Sequence, residues 1–170
     1  MYNFEKLKRA LVCELEKAGE ASPYSADANE PDPRYKAYGV RAPELKLIFR
    51  RYRTAIRAFD QESQIKLAAD FIKSGLAEQQ TLGFFILYPH AADFVPSRFG
   101  SIDRLMRHLH GWSKVDGFTT FVLQPVLLNY PEEFLPIIQQ WNQDEDMWLR
   151  RASGVVFTRK VAKSGRFNDF

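Results

Sequence analysis

The segment Gly111-Trp-Ser-Lys-Val-Asp-Gly117 holds the residue types in this chain best suited to chemistry. With Trp112 near a helix start, Trp112 and Asp116 stand four residues apart on one helical face. An indole face attracts positive charge through its quadrupole, and a carboxylate adds Coulomb stabilisation. Such a pair suits a cationic group, and the carboxylate can also orient or deprotonate a water. The same spacing equally suits a Trp112 packed in the core and an Asp116 that caps a helix or pairs with Lys114. Spacing alone does not choose between these readings.

A second segment, Trp148-Leu-Arg-Arg-Ala-Ser-Gly-Val-Val-Phe157, combines an apolar stripe with cations. Leu149, Ala152 and Val156 form the stripe, and Arg151 lies at its edge, one turn from Trp148 and Val155. From Trp148 to Phe167 no acidic residue occurs, while Arg150, Arg151, Arg159, Lys160, Lys163 and Arg166 all do. A surface this basic suits a phosphate backbone, and it also suits a solvated charged face. A third cluster, Arg50-Arg-Tyr-Arg53 with Arg41 and Lys46 upstream, is open to the same two readings.

Other chemistries lack their residues. His90, His108 and His110 are the only histidines, and no cysteine lies near them, so a zinc site is not expected. There is no phosphate-binding Gly-Lys-Ser/Thr loop, no Gly-rich dinucleotide turn and no Ser-centred nucleophile elbow. No cofactor is expected.

The elements that must position these residues read as helices. The chain has 170 residues, 45% hydrophobic and 26% charged, which suits one globular domain over residues 1–170. Its net charge of +3 is weak by itself as a sign of a nucleic-acid partner. Phe4, Leu7, Leu11 and Leu15 recur at helical steps, and Cys13 within them reads as a small buried hydrophobe. Gly19 to Pro33 reads as a loop. Pro43 suits a first helical turn, with Leu45, Ile48, Tyr52, Ile56 and Phe59 continuing the stripe. Asp60 can cap a helix carrying Ile65, Ala68, Ala69 and Ile72, and another runs from about Ala77 to Leu87 before Pro89. Ile102, Leu105, Met106 and Leu109 mark a short helix, and Trp112 to Leu123 a further one. Pro125 predicts a break or kink. Pro131 opens the next helix, and the last is expected from about Asp144 to Ala162.

No segment alternates as a strand between hairpin turns. Short helices joined by short loops predict an all-α fold of antiparallel pairs, stacked as a HEAT-like or armadillo-type α-solenoid, with a compact bundle as the rival. The charged N-terminus has no apolar signal segment, and no apolar run is long enough to span a membrane. With a single cysteine, a cytoplasmic protein is expected.

Three blocks, in this order and spacing, resemble the bacterial HEAT-like-repeat DNA alkylation repair glycosylases, the AlkD family. They are Tyr38-Gly-Val-Arg-Ala-Pro-Glu-Leu-Lys46; Trp112-Ser-Lys-Val-Asp116 leading to Gln124-Pro-Val-Leu127; and Trp141-Asn followed by Met147-Trp-Leu-Arg-Arg-Ala-Ser153. The resemblance implies an α-solenoid that binds double-stranded DNA and hydrolyses the N-glycosidic bond of cationic alkylpurines such as N7-methylguanine or N3-methyladenine. It implies that Trp112 contacts the lesion's deoxyribose, that Asp116 stabilises the developing oxocarbenium ion and positions water, and that Arg151 holds a backbone phosphate. Arg150, Arg159, Lys160, Lys163, Trp148 and Lys114 complete the expected DNA-contacting set. The family pattern continues beyond the third block with further helices and another aromatic, so this solenoid is expected to be C-terminally short. A monomer without metal is expected. A DNA-binding relative without catalysis, and a protein-binding scaffold, are the alternative readings.

Overall fold

A computed structural model describes residues 3–22 and 32–167 of the chain. Their regular elements are all helical; the β-type contact among them is an isolated parallel bridge between Lys36 and Leu76. The helices divide into two compact units, Met1–Leu87 and Tyr88–Phe170.

In the first unit, α1 (Phe4–Glu20) starts at Asn3, whose side chain accepts the Lys6 N–H at 2.9 Å. Leu7, Leu11 and Leu15, four residues apart, are its buried face. Cys13 is exposed, against expectation: two residues past Leu11 it is turned about 200° from that face. The expected loop from Gly19 to Pro33 begins later, because α1 continues to Glu20, and most of it lies outside the described residues. Helix α2 (Ala42–Arg57) has Pro43 in its first turn and buries Leu45, Ile48 and Ile56. Helix α3 (Gln61–Lys73) is capped by Asp60, which accepts the Ser63 N–H at 2.8 Å. That bond holds the Asp60 carboxyl below the usual carboxylate range.

Helix α4 (Ala77–Leu87) runs antiparallel to α3, since Gln80 bonds the Ile72 carbonyl while Gly83 lies against Ala68. A Cβ on Gly83 would sit 2.8 Å from the Ala68 carbonyl oxygen, so this close approach requires glycine. Glu78, 4% exposed, accepts the N–H groups of Tyr38, Gly39 and Val40, each at 2.9 Å. A buried carboxylate is costly unless hydrogen-bonded, and these three donors satisfy it. They also fix the start of the Tyr38–Lys46 block. Tyr38 accepts a 2.7 Å bond from Gln79 Nε2, and burial pushes its phenol pKa up.

The second unit opens with two 3₁₀ turns, Tyr88–Asp93 and Pro96–Arg98, followed by α5 (Phe99–Met106). Phe99, Phe134 and Trp141 pack edge-to-face, with centroids 5.0 and 5.9 Å apart, and the Trp141 indole donates to Asp103 at 2.7 Å. Helix α6 (Trp112–Phe118) begins after Gly111, whose φ of 86° lets the chain turn sharply into it.

The irregularity expected at Pro125 takes the form of a widened turn. Thr119–Leu123 forms a π-helical turn that leads straight into α7 (Gln124–Asn129), with Pro125 in its first turn. Proline has no N–H, and its ring crowds the carbonyl four residues back. Widening the helix just ahead of it relieves that clash. Helix α8 (Pro131–Asn142) follows.

The single final helix expected from about Asp144 to Ala162 is two: α9 (Met147–Val155) and α10 (Arg159–Ser164). Thr158 is extended and Arg159 has φ 51°, a conformation no continuous α-helix permits.

Candidate functional site

Trp112 and Asp116 lie one turn apart on α6, and Trp112 is 53% exposed. The core-packing alternative for Trp112 is thereby excluded. Val115 and Phe118 are the residues this helix buries. Asp116 lies within α6, away from its N-terminal cap position at Gly111. It takes Arg151 from α9 in a two-pronged pair, Nε to Oδ1 at 2.7 Å and Nη2 to Oδ2 at 2.7 Å. The side chains remain 26% and 41% exposed, so water screens the pair and its contribution to stability is about 1 kcal/mol or less. Its planar geometry fixes the carboxylate in direction, which a single-point lysine contact does not.

The loop before α9 sets where Arg151 emerges. Asp146 caps α9 by accepting the Trp148 N–H at 2.9 Å. Asp144 accepts the Asp146 N–H at 2.9 Å, and that bond, helped by Arg107, draws its carboxyl below the usual range. Arg150 donates to the Asp144 and Glu145 carbonyls at 2.6 and 2.8 Å, so it braces this loop while remaining exposed.

Trp148 corrects an expectation. At 4% exposure it belongs to the core beside Leu149 and Ala152, and offers no surface to DNA. Arg150, two residues on, is turned about 200° away from Trp148; Arg151, three residues on, shares its side of the helix and emerges exposed at the edge of the buried stripe. Arg159, Lys160 and Lys163 are exposed on α10, and Lys114 is half-buried on α6. The Lys160 ammonium lies 5.5 Å from the Tyr88 ring centre and 3.3 Å from its hydroxyl. Tyr88, 44% exposed and edge-on to Phe121, is an aromatic that helical periodicity did not single out. Its partner lies far away in sequence, and proximity to the stop at Pro89 was its only visible feature.

Arg166, counted among the basic residues of this stretch, donates to the Leu128 carbonyl at 2.7 Å. The Arg41, Lys46 and Arg50–Arg53 cations lie in the first unit and are exposed, with Arg51 paired to Glu14 at 2.7 Å. Among the described residues, no group of three His, Cys, Asp or Glu side chains is placed to hold a metal ion, and no helix is long and apolar enough to cross a membrane.

An exposed indole, a fixed carboxylate and a guanidinium on short helices, with further cations on the next helix, define an all-helical protein equipped for a charged ligand. The family model for DNA alkylation repair enzymes matches residues 14–170, and the chain belongs to that family. No curated protein matches the chain. Membership ties it to enzymatic repair of alkylated DNA.

Proposed function

We propose that the chain is a DNA glycosylase that hydrolyses the N-glycosidic bond of cationic alkylated purines, with N7-methylguanine and N3-methyladenine as substrates. The observation that carries this reading is the exposed Trp112 one turn from an Asp116 held in direction by Arg151. An alkylated purine already carries positive charge. When the bond from its nitrogen to C1′ breaks, the electron pair leaves with the base, which departs neutral. The positive charge moves to the sugar as an oxocarbenium ion. Water adds at C1′ and loses its proton, leaving an abasic sugar. A carboxylate and an indole face stabilise positive charge on the sugar, and no acid is needed to protonate the base.

In this proposal Arg151, Arg150, Arg159, Lys160, Lys163 and Lys114 bind phosphates of double-stranded DNA, on helix pairs arranged as HEAT-like repeats. The test is release of N7-methylguanine from methylated duplex DNA by the purified protein. Release above the spontaneous rate is the expected result, and release at that rate defeats the proposal.

A second reading has one observation in its favour: both Asp116 oxygens face Arg151, which offsets part of the charge the chemistry needs. On this reading the chain binds distorted or branched DNA without cutting the glycosidic bond. Salt-dependent duplex binding with no base release, lost on charge reversal at Arg151 and Arg159, is its signature.

A further inference from the structure

Helix α10 has only six residues, Arg159–Ser164. A helix that short does not hold itself together in water, so its orientation comes from what it docks on. Val161 is its buried side chain. Two polar bonds tie its ends to α7: Gln124 Nε2 donates to the Thr158 carbonyl at 2.8 Å, and Arg166 Nη1 donates to the Leu128 carbonyl at 2.7 Å.

Gln124 is 0% exposed, and its Oε1 has no hydrogen-bond partner among the described residues. Burying an amide costs free energy that a leucine of similar volume avoids, so packing alone does not call for glutamine here. What the amide supplies is direction. The carbonyl it holds immediately precedes Arg159, the residue other than glycine with positive φ among those described. An arginine disfavours that conformation, and it persists only where its surroundings impose it. The result is a defined junction after which Arg159, Lys160 and Lys163 all stand exposed.

We infer that Gln124 is a positioning residue for DNA binding. By fixing the Thr158–Arg159 junction it docks α10, so that Arg159, Lys160 and Lys163 meet the phosphate backbone as one rigid set. The inference rests on the DNA-binding part of the functional reading above, and not on catalysis.

The test is Gln124→Leu, read by melting temperature, by duplex-DNA affinity across a salt series, and by limited trypsin digestion. Trypsin cuts after Arg159, Lys160 and Lys163, so it reports directly whether α10 is docked. The expected variant melts within roughly 4 °C of wild type. Its DNA affinity falls about tenfold, and the slope of log K against log salt drops by about 1–3, as phosphate contacts are lost together. Cleavage within α10 accelerates. A merely structural residue would lower the melting temperature without changing the slope per folded molecule.

Arg166→Gln, at the exposed end of the same docking, provides the second variant if Gln124→Leu fails to fold, with faster α10 cleavage and weaker DNA binding expected again. Wild-type binding that both variants leave unchanged in affinity and slope overturns this inference alone. Wild-type protein that does not bind duplex DNA overturns the functional reading and this inference with it.

Discussion

Glu78 in the first unit and Asp116 in the second are both carboxylates on helices, yet Glu78 is 4% exposed and accepts three backbone N–H groups, whereas Asp116 is 26% exposed and faces an arginine side chain. Backbone amides are fixed in place once the chain is folded, so Glu78 locks the segment it grips. A guanidinium on a long side chain is held less tightly and stays in contact with solvent. The difference teaches that a carboxylate's role follows from the mobility and solvation of its donors. Charge alone does not separate a fold-holding acid from one available for chemistry.

The comparison can be broken first at its structural side. Glu78→Gln replaces one acceptor oxygen by an NH₂ that confronts backbone donors, and it removes charge-assisted bonds. A stability loss of about 3 kcal/mol is expected in urea or thermal unfolding. A loss under about 1 kcal/mol would show that the three amide bonds do not lock this segment.

The site side is sharpened by Trp112→Ala. With the indole half in solvent, the melting temperature should stay close to wild type while base release slows about tenfold, the size of one cation–π contact in a partly desolvated site. Unchanged single-turnover release would remove Trp112 from the chemistry.

Arg159→Gly separates stability from binding on α10. Relief of the positive-φ strain should raise stability by about 1 kcal/mol, while the salt slope of DNA binding drops by about 0.9 for one lost phosphate contact. A destabilised variant would mean that Arg159 is unstrained.

The smallest effect concerns the Asp60 cap. Its folded pKa lies below the unfolded value because the Ser63 N–H bonds the carboxylate. Its stabilising contribution is therefore fully present above the unfolded pKa and is lost as pH falls through the folded one. Asp60→Asn keeps a capping oxygen without the titration, so its melting temperature should fall less steeply on the acid side than wild type. Parallel acid limbs would contradict this.

Much of the first unit was legible because its signals are local: Pro43 in a first turn, Asp60 as a cap, and the Leu7–Leu11–Leu15 stripe each act within one or two turns. The missed features depend on partners distant in sequence. Glu78 gives no local sign of the amides at Tyr38–Val40, and Gln124 none of the Thr158 carbonyl. No glycine or proline marks the break at Arg159, and the π-helical turn before Pro125 is a backbone adjustment that periodicity does not register. At the site, the one-turn spacing of Trp112 and Asp116 was readable, whereas the burial of Trp148 became evident only from packing.

The most direct measurement is the rate of N7-methylguanine release from methylated duplex DNA by Asp116→Asn beside wild type, at saturating protein and with folding checked by melting. The account predicts release slowed by about 10²–10³-fold, the cost of removing one charge-stabilising group from a transition state, in a protein that still melts and binds DNA much as wild type does. An Asp116→Asn protein that releases the base at the wild-type rate would contradict it.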